Sequence, residues 1–292
     1  MRALAIATTV AALATVANVA AMSPRLAASL SVSGGPPAKR SLGPAVLRVC
    51  ADPNNLPFSN RAERGFENRI VELLARDLGM RVEYTWWAQR RGFVRNTLGA
   101  GECDLIPAVP AGYEAVATTR PYYRSTFVFV TRRAAGRPID SFDDPRLRRL
   151  KVGVHLVGDD YANPPPVEAL ARRGIVRNVV GYTIYGDYRQ PDPPARLLEA
   201  VARGDVDVAV VWGPLGGWFA REHPSLRASP VRAALDGPGV PFAFSISMAT
   251  RKADTAFARR VDAALARRRA EIEHVLDRYG VPRLDQRTGR DP

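Results

Sequence analysis

Two cysteines, three histidines and three lysines are all that 292 residues carry of those types. Two thiols and three imidazoles give no metal-ligand spacing, so a metal centre built from them is set aside. Nor does any motif favour a bound cofactor, and none is expected. The scarcity of lysine, which stands only at 39, 151 and 252, means that nearly all of a formal net charge of +13 is arginine. Low hydrophobicity with high charge, the mark of disorder, is absent: 46% of residues are hydrophobic and 24% charged, the mix of a chain that buries a core.

Arg2 followed by the uncharged, Ala- and Val-rich run Ala3 to Met22, then small residues at Ala20, Ala21, Ala27 and Ala28, reads as an export signal over 1–28. A weakly hydrophobic membrane anchor is the alternative. Residues 29–45, with Gly34-Gly35-Pro36-Pro37, read as a flexible leader. Removing Arg2 and Arg25 leaves 13 − 2 = +11, still strongly basic. An exported basic protein is expected to meet an acidic protein partner and not nucleic acid.

Beyond the leader, apolar spacing alternates between periods of two and of 3.6. Leu47 to Ala51 reads as a strand, Glu67 to Leu78 as an amphipathic helix closed by Gly79, and Arg81 to Trp87 as a second strand. Phe93 to Gly99 is a short helix and Asp104 to Val109 a third strand. After the strand Thr126 to Arg132 the plan restarts: strands at Leu150 to Val154, Val179 to Tyr185 and Val206 to Trp212 alternate with helices at Pro166 to Arg173 and Pro194 to Arg203. A strand from Phe242 to Thr250 and a single long helix from Thr255 to Tyr279 then return to the first unit. The expected fold is α/β, a two-lobed type II periplasmic binding-protein architecture whose lobes are mostly parallel sheets flanked by helices. Lobe 1 takes 46–132 and 241–282, lobe 2 takes 133–240, and 283–292 is a tail. The chain crosses between lobes near 131–137 and 238–243. Cys50 on the first strand and Cys103 at the third fall on neighbouring strands in this order, so they are expected to form a disulfide; two buried thiols are the alternative.

Five motifs in sequence carry a narrower resemblance: CADPNNLPFSN (Cys50 to Asn60), GFENRIVELLARDLG (Gly65 to Gly79), QRRGFVRNTL (Gln89 to Leu98), GECDLIPAVPAGYE (Gly101 to Glu114) and TRPYYRSTFVFVTR (Thr119 to Arg132). Together they resemble the MoxJ/XoxJ-type proteins, quinoprotein-dehydrogenase-associated relatives of ABC-transporter substrate-binding proteins. The likeness is dense over the first lobe and looser over the second. It implies a periplasmic protein that accompanies a PQQ-dependent methanol or alcohol dehydrogenase.

Amino-acid-binding relatives of this architecture hold the ligand carboxylate with an arginine after the third strand. Gly112 stands there. Their ammonium-pairing aspartate follows the last strand of lobe 2, where this chain has Trp212-Gly213-Pro214. A zwitterion would lose its hydration without replacement, so ordinary amino acids are excluded. The candidate cleft is instead aromatic and apolar: Phe58, Trp86, Trp87, Pro110, Tyr113, Tyr122, Tyr123 and Trp212, with Asn54 and Asn55 as hydrogen-bonding groups and Arg90 and Arg91 as contacts to an anion or acidic surface. Half of these rings have a place in the core as their alternative, and the asparagines serve equally as turn formers. Glu67, in the first turn of its helix, reads as a carboxylate favouring the helix dipole. His155 with Asp159 and Asp160 makes a weak acid–base constellation for which a turn is the simpler reading, and no catalytic residue is assigned. The expected role is binding: of the dehydrogenase, of a small apolar or aromatic ligand, or of both. A transporter-coupled receptor for an uncharged or aromatic solute, working with an ABC permease, is the second reading.

Overall fold

The computed structural model describes residues 45–156, 164–183, 188, 191–233 and 240–284. The expected signal segment, Asp159, Asp160 and most of the tail lie outside them. Twelve strands and seven helices follow one another among the described residues. In the first lobe these are β1 (Ala45–Ala51), β2 (Asn54–Asn55), β3 (Ser59–Asn60), α1 (Phe66–Leu78), β4 (Met80–Trp86), α2 (Phe93–Asn96), β5 (Ile106–Pro110), β6 (Ala117–Thr118) and β7 (Tyr123–Arg132). The second lobe adds β8 (Val152–Leu156), α3 (Pro165–Arg172), β9 (Val179–Thr183), α4 (Arg196–Arg203), β10 (Val208–Trp212), α5 (Gly213–Glu222) and β11 (Leu226–Pro230). The chain returns through β12 (Ala243–Thr250), α6 (Thr255–Arg267) and α7 (Arg269–Arg278).

Parallel pairing dominates each lobe at its outer edge. β1 runs parallel to β4, with Cys50 opposite Thr85, and a parallel bridge from Val49 to Leu105 joins it to the approach to β5. In the second lobe β9, β8 and β10 are parallel neighbours. The lobes are joined by β7, whose first half pairs antiparallel with β12 (Tyr123 opposite Ile246, Thr126 opposite Ala243). Its second half pairs antiparallel with β10, from Phe127 opposite Trp212 to Thr131 opposite Val208. The exchange of partners between Thr126 and Phe127 falls upstream of the stretch 131–137 where the pattern places the first crossing. TFVFVTR is buried along nearly its whole length, so its composition carries no mark of where one neighbour ends and the next begins.

Alternation along the central strands distributes their side chains to two faces. Val208 and Val210 join Phe129, Val152 and Val154 in one core of lobe 2, whereas Ala209 and Val211 join Val128, Val130, Leu197 and Val201 in another. In lobe 1, Leu47 and Val49 face Phe66, Ile70 and Leu74 of α1 together with Val261 and Leu276 of the last two helices. Cys50, on the opposite face, sits in a separate cluster with Phe93, Leu98, Cys103, Ile106 and Val116. There it is bonded to Cys103, with Cα atoms 5.6 Å apart, as the strand order leads one to expect.

The short strands β2, β3 and β6 and the strand β11 have no counterpart in the sequence reading, and two helical regions differ from it. The helix expected over Thr255 to Tyr279 is two helices meeting at Arg268; both lie along α1, and Arg267 and Arg268 at their junction pair with Asp77 near the end of that helix. Helix α5 has no counterpart in the pattern, because Gly213, Gly216 and Gly217 lower helix propensity. Close approach explains them. A Cβ on Gly216 would stand 2.4 Å from a Val128 methyl, and one on Gly217 would stand 2.1 Å from the Gly280 carbonyl. The glycines let α5 lie directly on β7 and on the chain end that returns to it.

Candidate functional site

Between the lobes lies a cleft of about 310 Å³ at the carboxyl ends of β1, β5, β8 and β10, where open α/β sheets hold their ligands. Lobe 1 supplies Asn55, Phe58, Glu67, Gln89, Pro110, Tyr123 and Phe244; lobe 2 supplies His155, Pro194, Trp212 and Leu215; Phe127 stands at the exchange point. The lining is almost wholly apolar. Trp212 meets Phe127 and Phe244 edge-on, with centroids 5.4 Å and 5.8 Å apart, and its indole faces the Tyr123 hydroxyl. Tyr123 is fixed from behind by Phe66, whose centroid is 6.2 Å away at 84°. Such edge-to-face pairs hold rings in defined orientations.

Burial has moved the titration of Asp52, Glu67 and His155. Asp52, just past β1, is 1% exposed. One of its carboxylate oxygens accepts from the Asn54 amide at 2.8 Å and the other from the Gln89 amide at 2.7 Å. Tyr188 of the second lobe adds its hydroxyl at 3.1 Å. Burial still raises the pKa of Asp52 against these bonds. Glu67 is 5% exposed, and burial together with the nearby Asp52 pushes its carboxyl up to about 8. It does not close the helix. Asn68 does that, its Oδ1 accepting from the amides of Gly65 at 3.1 Å and Asn60 at 3.2 Å, which leaves the Glu67 carboxyl on the cleft wall. Across the cleft His155 donates from Nε2 to the Pro194 carbonyl at 3.2 Å, and burial pushes its pKa down to about 4. His155 is therefore neutral under all ordinary conditions. Among the described lining residues there is neither lysine nor arginine.

The residues singled out from sequence do not all share one place. Asn55, Phe58, Pro110, Tyr123 and Trp212 line the cleft. Asn54 bridges the lobes, its Oδ1 accepting from the Asp192 amide at 3.1 Å. Tyr122 packs at the lobe 1 core with its hydroxyl on the Pro107 carbonyl, and Trp86 stacks on Tyr84 at 4.5 Å. Arg90, Arg91 and Tyr113 line a different concavity, an open groove of about 630 Å³ shared with Arg95 and Lys252, while Trp87 is exposed. The floor of this groove is Phe93, Leu98 and Val116, the cluster around the disulfide. Sequence reasoning passed over Gln89, Phe127 and Phe244 as cleft residues. Phe127 and Phe244 sit inside strands whose alternation gave the only available signal, and it does not say which face meets the other lobe.

A cleft between two α/β lobes joined by exchanged strands, at the carboxyl ends of those strands, is the site of a solute-binding protein. The chain belongs to the bacterial extracellular solute-binding proteins, family 3, whose model matches residues 47–281. Within that family it is of the MoxJ/XoxJ type. It is 34% identical over 248 residues to Protein MoxJ of Methylorubrum extorquens, an alignment covering 82% of this chain and 81% of that one. Among solved structures, the periplasmic binding protein XoxJ from Methylobacterium extorquens AM1 aligns with a TM-score of 0.67 at 33% identity, over 82% of this chain and all of that one. MxaJ from Methlophaga aminisulfidivorans MPT aligns with a TM-score of 0.71 at 25% identity and the same coverage.

Proposed function

We propose that this chain acts in the periplasm as a binding-protein-like accessory of a PQQ-dependent methanol or alcohol dehydrogenase, working by binding and not by catalysis. The sustained likeness to Protein MoxJ across both lobes is the observation that carries the reading. Two features of the molecule agree with it. Arg90, Arg91, Arg95 and Lys252 gather around a groove that also carries the exposed ring of Tyr113, which suits an acidic protein surface carrying apolar side chains. In the cleft, burial keeps His155 neutral while its ring N–H is spent on the Pro194 carbonyl, and no serine, threonine, cysteine or lysine stands among the described lining residues, so covalent chemistry has little to work with.

The test is association of the purified chain with the cognate dehydrogenase at about 20 mM and at about 500 mM salt, a range across which the screening length shortens several-fold. Binding that weakens with salt supports the reading. No association with any quinoprotein dehydrogenase of the same cell overturns it. The apolar cleft favours a second role, as receptor for a solute passed to an ABC permease; a rise in melting temperature with small metabolites is its signature.

A further inference from the structure

We propose that the interlobe cleft takes a small organic cation, an amine or quaternary ammonium with an apolar body, held by the Glu67 carboxylate and the faces of the surrounding rings. The inference is independent of which protein the chain serves.

Glu67 is a built feature and not a surface accident. It is 95% buried by its 5% residual exposure, it faces the cleft, and no donor or cation reaches its carboxyl among the described residues. A carboxyl so placed is costly unless something arrives to pair with it. An anion is excluded, because the described lining offers no basic side chain and Asp52 adds a second acidic group close by. An uncharged apolar ligand would leave the acid as it stands. A cation would satisfy it, and the rings of Phe58, Tyr123, Phe127, Trp212 and Phe244 offer electron-rich faces and an apolar lining for the rest of the ligand. The overall charge of the chain is +13, so a cation-seeking cleft is a local inversion that the sequence total conceals.

The pairing has a proton signature. At neutral pH burial keeps Glu67 protonated, and a cation must displace that proton. The groups facing Glu67 are Asp52 past β1, Tyr84 on β4, and Tyr122 and Tyr123 at β7, with His155 across the cleft; α6 and α7 add no charge that acts on it. Burial pushes the tyrosines up and His155 down to about 4, so none of these four changes charge between pH 6 and 8. Asp52 is the remaining group, and any pH dependence left in Glu67→Gln belongs to it.

Isothermal titration calorimetry with 2-phenylethylammonium and benzyltrimethylammonium, against the uncharged 2-phenylethanol, decides the matter. The cations should bind about ninefold more tightly at pH 7 than at pH 6 and about fivefold more at pH 8 than at pH 7, releasing roughly 0.9 proton at pH 7. Buffers of different ionisation enthalpy read the proton directly on the unaltered protein. Glu67→Gln, its fold checked by melting, should lose at least about tenfold in cation affinity at pH 8 and leave 2-phenylethanol unchanged. Binding of 2-phenylethanol as tight as that of the cations, cation binding without proton release, undiminished cation binding in Glu67→Gln, or no cation binding at all would each overturn the proposal.

Discussion

Two concavities open on the first lobe with opposite electrostatics. The interlobe cleft is walled by aromatic rings and contains a buried acid with no basic residue among the described lining. The groove beside the disulfide is twice as large and is rimmed by Arg90, Arg91, Arg95 and Lys252. In the groove the charges stay in water and change the stability of the fold very little. In the cleft one carboxyl is taken out of water, and the fold must tolerate the cost. Charge in the groove thus acts on encounter with a partner, whereas charge in the cleft acts on the folding equilibrium itself.

The comparison is tested most severely by Glu67. Its folded pKa of about 8 lies above the ordinary carboxylate value of 4.5, so ionisation favours the unfolded chain. Below about pH 4.5 both states are protonated and the residue costs nothing. As pH rises towards 8 only the unfolded state ionises, stability falls, and above that pH the full cost persists. The difference between Glu67→Gln and the parent should grow from near zero at pH 4 to at most about 5 kcal/mol at pH 8, in favour of the variant. Urea melts of both proteins at the two pH values measure it. Equal stability at pH 8 would mean that the carboxyl is solvated and the contrast with the groove false.

Next in size is the staple beneath the groove. Replacing Cys50 and Cys103 with alanine releases a loop with sequence separation 53 and should cost about 2–4 kcal/mol. Because both sulfurs lie in the cluster of Phe93, Leu98 and Val116, the loss should loosen the groove and leave the cleft walls in place. Hydrogen exchange localises the effect: protection should fall around Phe93 to Val116 and persist at Tyr123 and Phe129. A smaller change follows from the bond between lobes. Tyr188→Phe removes the hydroxyl that meets Asp52 at 3.1 Å and should cost about 1 kcal/mol while lowering protection across the cleft.

How far these features were legible in the chain depends on the range of the interaction behind them. The parallel order of the lobes, the helix α1 and the pairing of Cys50 with Cys103 follow from periods of two and 3.6 and from strand order, because each depends on which residues share a face. The break at Arg268 and the helix α5 follow from contacts made far along the chain: Asp77 receives Arg267 and Arg268, and the glycines of α5 admit Val128 and Gly280. No local period contains them. Glu67 is the sharpest case. Its position in the first turn fits a carboxylate serving the helix dipole, and only the closure of the Gly65 turn by Asn68 and the approach of Asp52 reassign it to the cleft. Five of the residues picked out from sequence, three of them aromatic, meet in the cleft, whereas Arg90, Arg91 and Tyr113 belong to the groove; strand ends alone do not separate one concavity from the other.

The groove provides the smallest effect on the fold and the clearest separation of the two regions. Arg90 and Arg91 are exposed, neither meets a carboxylate among the described residues, and both stand on the short turn leading into α2. Replacing both with alanine should change stability by less than about 0.5 kcal/mol, since no buried group loses a partner. On association with an acidic dehydrogenase the same change should act mainly through the rate of encounter, slowing it several-fold at low salt and hardly at all at high salt. Stopped-flow mixing of the two proteins over a range of ionic strength measures this directly. Cleft binding of 2-phenylethylammonium should be indifferent to the double variant. If instead the double variant weakened cation binding as Glu67→Gln is expected to, the two concavities would be one site, and the arginines would be acting on the cleft through the loop that carries Gln89 between them and Asp52.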